Sequence, residues 1–108
     1  MRLSELEPEF LKDSGEGHSR MGVSKAEADG IMFLCPVCFA KNNGPVGTHS
    51  IICWQPHVDP NRDPKPGRWA FQGTGIGDLT LVAASSSIYL NGGGGCQAHF
   101  FIRNGNIE

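Results

Sequence analysis

Ile31-Met32-Phe33-Leu34-Cys35-Pro36-Val37-Cys38 (residues 31–38) sets an uninterrupted apolar run directly before a Cys-x-x-Cys step. Four consecutive apolar residues bounded by turn formers read as a buried strand with both faces covered. Two thiols three residues apart on a tight turn can reach one tetrahedral ion, with Zn–S bonds of ~2.3 Å. Pro36 fixes φ within that turn. Residues 31–38 therefore predict a strand that ends at a metal-ligating turn.

Upstream, Ser24 as N-cap, Glu27 three residues on and Gly30 as C′ predict a short helix of one or two turns over residues 24–30. Residues 13–22 (DSGEGHSRMG) read as a polar loop. Leu3, Leu6, Phe10 and Leu11 make a rough helical stripe that Pro8 interrupts. Residues 1–23 are accordingly expected to be an N-terminal arm and polar loop, the arm packing on the domain or on a neighbour. Residues 24–108 are expected to form a single zinc-binding, β-rich domain.

Downstream, HSIICW (49–54), RWAFQ (68–72), DLTLVA (78–83), SSIYL (86–90) and HFFIR (99–103) read as short strands. Trp69, Phe71, Phe100 and Phe101 alternate or adjoin within them, so most of the four are expected in the core. Gly-rich stretches separate several of these strands. GTGIG (73–77) superficially resembles a nucleotide loop, but a strand follows it instead of a helix, so it reads as a hairpin turn. Residues 55–67 hold four of the seven prolines and read as a surface loop. The predicted fold is mainly β: a small twisted antiparallel sheet or sandwich with one short helix, stapled by a zinc site.

A chain of 108 residues supports one domain. Fifteen glycines make ordering the backbone costly, so a staple beyond the apolar core is useful. The net charge of −2 argues against a phosphate-backbone binder, including a zinc ribbon acting on nucleic acid. No run approaches the ~18 apolar residues of a membrane span. The charged opening MRLSELEPEF has no apolar signal core, so a cytoplasmic location is expected. In a reducing compartment, the four cysteines point to metal ligation or free thiols rather than disulfides.

Cys96-Gln97-Ala98-His99 repeats the metal logic after Gly92 to Gly95. Together with Cys35 and Cys38, residues Cys96 and His99 complete a closed structural zinc set of three cysteines and one histidine. A local alternative uses Cys35, Cys38, His49 and Cys53. If residues 49–54 are a strand, however, His49 and Cys53 lie ~13 Å apart at ~3.3 Å per residue, too far to share one ion. Away from a metal, Cys53 beside Ile51, Ile52 and Trp54 reads as a buried apolar residue, and His49 as a structural hydrogen-bonding histidine. His18 and His57 lie in polar stretches and read as solvated.

FLCPVC (33–38), GPVGTHSIICW (44–54), PGRW (66–69), the Ser87-Ile88 step and GCQAHFFIRNG (95–105) together resemble a family of small uncharacterised proteins of bacteriophages and prophages. Its members often carry the label "ammonia monooxygenase", and more distant relatives lie in bacterial operons resembling ubiquitin conjugation systems. The resemblance spans roughly residues 24–105 and includes the opening MRLSELEP. It implies a host bacterial cytoplasmic site of action and matches the family's recurring Cys35, Cys38, His49, Cys53, Ser87, Cys96 and His99. The family's Pro-Ser-Ile is Ser86-Ser87-Ile88 here. Copper-dependent ammonia oxidation needs membrane assemblies and an oxygen-activating copper set that this chain lacks, so the label is set aside.

Two functions follow as expectations. The first is a zinc-stabilised accessory or binding protein acting on a phage or host protein. The second is a peptidase-like hydrolase, with ubiquitin-like conjugates as the substrates the resemblance implies. It would use Ser87 as nucleophile with His49 or His99 as base, or a zinc-activated water.

Overall fold

The computed structural model describes residues 1–15, 18–62, 68–82, 88–91 and 97–108. In chain order its strands are β1 (Glu9–Gly15), β2 (His18–Met21), β3 (Gly30–Leu34), β4 (Ser50–Trp54), β5 (Ala70–Gln72), β6 (Thr80–Val82), β7 (Ile88–Asn91), β8 (Gln97–Phe100), β9 (Ile102–Arg103) and β10 (Asn106–Ile107). The fold is mainly β, as the sequence predicts.

The apolar run becomes β3, an interior strand of an antiparallel four-stranded sheet ordered β2-β1-β3-β4. Its partners set Phe10 opposite Ile31 and Glu9 opposite Met32 on one side. On the other side Cys53 lies opposite Ile31, Ile52 opposite Met32 and Ser50 opposite Leu34. Side chains alternate across the sheet, so Phe10, Ile31, Phe33, Ile51 and Cys53 face the main core with Leu3, Leu6, Leu79, Leu81 and Ile102. The other face carries a smaller cluster of Leu11, Trp54 and Val58, flanked by Met32 and Ile52. Both faces of β3 are apolar for this reason, and the uninterrupted run follows. Val58 also shows that the proline-rich segment is more than a surface loop: its residues 55–62 fold back and cover one end of the outer face.

The remaining strands pair as the hairpins β5-β6, β7-β8 and β9-β10. Residues 73–79 close the first of these, as expected. Asp78 organises that turn by accepting from the backbone N–H groups of Thr74 (2.9 Å) and Gly75 (3.0 Å). Those bonds hold its carboxyl below the ordinary value. The turn of β9-β10 is Asn104-Gly105, both at positive φ (50° and 74°), the geometry a two-residue hairpin demands.

Three local readings are corrected. Residues 24–30 do not form the predicted short helix: only Lys25–Glu27 makes a 3-10 turn, the Ser24 side chain caps nothing, and Ala28 is extended. Tertiary hydrogen bonds draw this segment to the sheet. The Asp29 N–H donates to the Leu11 carbonyl at 2.7 Å, and its carboxylate accepts the Asp13 N–H at 2.8 Å. The α-helix is instead α1 (Pro36–Asn42), built on the Cys-x-x-Cys step read as a tight turn. Finally, the polar stretch 13–22 is largely the β1-β2 hairpin, with Leu11 opposite Met21 and Lys12 opposite Arg20.

The first twelve residues are integral to the core. Leu3–Leu6 is a 3-10 turn whose two leucines are fully buried. The helical stripe stops at Glu7, which adopts φ 51° ahead of Pro8. The amino-terminal segment then closes against the carboxyl-terminal hairpin. The Leu3 N–H donates to the Gly105 carbonyl and the Ile107 N–H to the Met1 carbonyl, each at 2.8 Å. The Arg2 guanidinium reaches Asn106 Oδ1 (2.8 Å) and the Gly77 carbonyl (2.7 Å). Among the described residues, no helix is long and apolar enough to cross a membrane.

Candidate metal centre

β3 delivers Cys35 to the start of α1. Cys35 is the extended N-cap (ψ 121°), Pro36 occupies the first helical turn, and the Phe39 N–H donates to the Cys35 carbonyl at 2.8 Å. Proline suits that place because the N–H it lacks would have no helical partner there. One turn of helix then returns Cys38 beside Cys35. The helix ends at Asn43, left-handed at φ 55°, and the Gly44 N–H donates back to the Phe39 carbonyl at 3.0 Å.

The loop returning to β4 is braced by its own polar groups. The Thr48 hydroxyl donates to the Gly44 carbonyl (2.8 Å) and accepts from the Asn42 amide (3.3 Å). The loop delivers His49 opposite Cys35, whose N–H donates to the His49 carbonyl at 2.9 Å. This bond continues the β3-β4 ladder one step beyond Leu34 and Ser50.

The consequence is a cluster: one ligand atom each from Cys35, Cys38 and His49, all within 4.8 Å of one another. Ligand atoms around a tetrahedral zinc stand roughly 3.5–4 Å apart, given bonds of ~2.3 Å to sulfur and ~2.0 Å to nitrogen. The cluster could therefore hold a metal ion after small side-chain adjustments. Cys35 is buried, Cys38 half-buried and His49 exposed, so the group opens to the surface on the histidine side. Among the described residues the cluster includes no carboxylate.

The geometry separates the two members of the local alternative. β4 is a strand, as the spacing argument assumed, and Cys53 stands apart from the cluster. It is fully buried in the main core, opposite Ile31, as a free thiol. Desolvation pushes that thiol well above its ordinary pKa and keeps it neutral. His49, immediately before the strand, does reach the cysteines. Cys96 and Ser87 lie outside the described residues. The backbone of His99 lies in β8, opposite Tyr89. β8 runs beside α1, and Phe100 sets its ring edge-on to Phe33 at 6.1 Å, two residues before Cys35.

One polar pair escaped the sequence reading. The His57 Nε2–H donates to Asp29 Oδ1 at 2.6 Å, and Lys12 Nζ lies 3.7 Å from Oδ2. Burial alone raises the Asp29 carboxyl, but the bonds from His57 and the Asp13 N–H, with the Lys12 charge, hold it below its ordinary value. The two partners lie 28 residues apart in polar stretches, and no local pattern signals such a pair.

In comparisons with protein-family models, with curated proteins and with solved structures, the chain finds no match.

Proposed function

We propose that this chain is a small binding protein whose fold is stapled by one zinc ion. The observation that carries the reading is the convergence of Cys35, Cys38 and His49 within 4.8 Å. Two thiolates and an imidazole favour zinc over the hard cations, which take oxygen ligands. The fourth ligand comes from the segment entering β8, by Cys96 or His99. Support for it is the position of β8 beside α1 and the Phe33–Phe100 contact. An ion there ties β3, α1 and the approach to β4 to β8, segments that span much of the chain. A chain rich in glycine gains most from such a cross-link, because zinc binding free energy becomes folding free energy.

A structural role for the ion is favoured over hydrolysis by the composition of the cluster. Zinc hydrolases commonly pair the metal-bound water with a carboxylate base, and among the described residues no Asp or Glu belongs to this group. His49, enlisted as a ligand, is also withdrawn from service as the free base of a Ser87 nucleophile. The partner would be a phage or host protein in the bacterial cytoplasm; that setting rests on the motif resemblance alone.

The test is elemental analysis and zinc X-ray absorption on protein purified without added metal. About one zinc per chain, with mixed sulfur and nitrogen ligation, is expected, and His49→Ala should lower zinc retention. Metal-free folded protein, or a shell of oxygen ligands, would overturn the reading.

A further inference from the structure

We propose that the outer face of the four-stranded sheet binds a basic, apolar-anchored peptide segment of another protein. A groove of about 440 Å³ opens there, lined by Glu7, Glu9, Met21, Met32, Leu34 and Ser50 among others. Its apolar lining comes from Met21 of β2 and from Met32, Phe33 and Leu34 of β3. Met21 is 54% exposed and adds its apolar side chain to Met32 and Leu34 in the groove lining. Thioethers are flexible and polarisable, and line surfaces that adapt to varied apolar side chains.

The sign of the partner comes from the rim. Glu7 and Glu9 are both exposed, and among the described residues neither carboxylate is in an ion pair. Among the described residues no lysine or arginine lines the groove. Among the described residues, Glu7 is also one of three non-glycine residues at positive φ, a conformation that costs an L-residue energy and that clusters at binding sites. An apolar floor beneath two unpaired acids suits Leu, Phe or Met flanked by Lys or Arg. The same charges, with a net charge of −2, oppose nucleic acid, anionic lipid and a second copy of this chain.

The groove also abuts the metal centre. Leu34 and Ser50 form the last pair of the β3-β4 ladder, immediately before Cys35 and after His49. The proposal rests on the binding-protein reading above, and supplies its surface and partner class. It does not require the ion to be zinc.

The experiment is selection from a display library of random linear peptides against the full chain. Fluorescence anisotropy with a labelled peptide from the enriched pool follows. Basic residues flanking an apolar anchor should dominate the pool. The Glu7→Lys/Glu9→Lys double variant should weaken binding about tenfold, and added salt should weaken it too. Met21→Ser, at an exposed position that folding does not need, should weaken binding severalfold. A pool without basic bias, or affinity indifferent to all three substitutions, overturns the proposal. So does a dimer that the same substitutions dissolve, since a second copy would then be the occupant. Zinc content measured on the wild type and on every variant keeps the two readings apart: a wild-type chain that retains metal but enriches no basic peptide sinks only the groove, and absent metal with intact wild-type binding sinks only the staple.

Discussion

Serine substituted singly for Cys53 and for Cys38 makes the same chemical change at two sites and should produce two different phenotypes. Cys53 is fully buried, opposite Ile31 and among apolar side chains. Its replacement places a hydroxyl where few partners exist, at about 1–3 kcal/mol. In a domain of this size each kcal/mol shifts Tm by about 4–8 °C, so a loss of about 4–24 °C is expected, with zinc content unchanged. Cys38 is only half-buried, and the hydroxyl there is easily solvated. Its loss acts through the metal instead. If free zinc stands about a thousandfold above Kd, the forfeited linkage is about 4 kcal/mol. Differential scanning fluorimetry with and without EDTA, alongside elemental analysis, separates the two. Chelator should lower the Tm of wild type and of Cys53→Ser alike and leave Cys38→Ser unmoved. Zinc lost from Cys53→Ser, or retained in full by Cys38→Ser, would refute the assignment of the thiols.

Gly30→Ala would place a Cβ 2.5 Å from Trp54 Cε3 and 2.9 Å from the Cys53 carbonyl oxygen. Crowding there should destabilise by about 1–3 kcal/mol in urea unfolding, and a change under about 0.5 kcal/mol would contradict the packing. Asp29 has its folded-state pKa below the unfolded value, so its contribution is present above the unfolded pKa and disappears as pH falls through the folded one. Asp29→Asn should therefore lower stability at neutral pH and flatten the acid limb of the stability curve below about pH 4. Equal slopes for variant and wild type would contradict this. Arg2→Ala removes the side-chain bonds to Asn106 and Gly77. Because these are exposed, a loss of about 1 kcal/mol or less is expected, with faster hydrogen exchange at the Leu3 and Ile107 amides; unchanged exchange would mean the guanidinium does not hold the termini together.

Strand positions were legible in the sequence wherever burial dictates the pattern locally. The run 31–34, the β-branched 51–52 and the alternation through Phe71 and Leu81 all lie in strands because each must cover apolar surface within a few residues. Helix signals were less reliable. Ser24, Glu27 and Gly30 have helical start and stop spacing, yet Asp29 is claimed by Leu11, Asp13 and His57 from elsewhere in the chain. Pro36 carried the missed signal: proline directly after an N-cap starts a helix as readily as it shapes a turn. The hairpin through residues 13–21 was hidden because an edge strand can be polar, its pairing partner supplying what its own side chains do not.

Composition, residue type and spacing alone determined that this is a β-rich chain with thiols poised to ligate metal. Those properties rest on short-range sterics and on which side chains can donate to a soft cation. Tertiary structure alone decided that His49 stands with Cys35 and Cys38 while Cys53 is sealed in the core. The difference is the register of β3 on β4, which sets His49 just beyond the Leu34–Ser50 end of the ladder and Cys53 opposite Ile31 near the other. Register is fixed by which faces both strands bury together, a condition on the whole sheet that neither segment carries by itself.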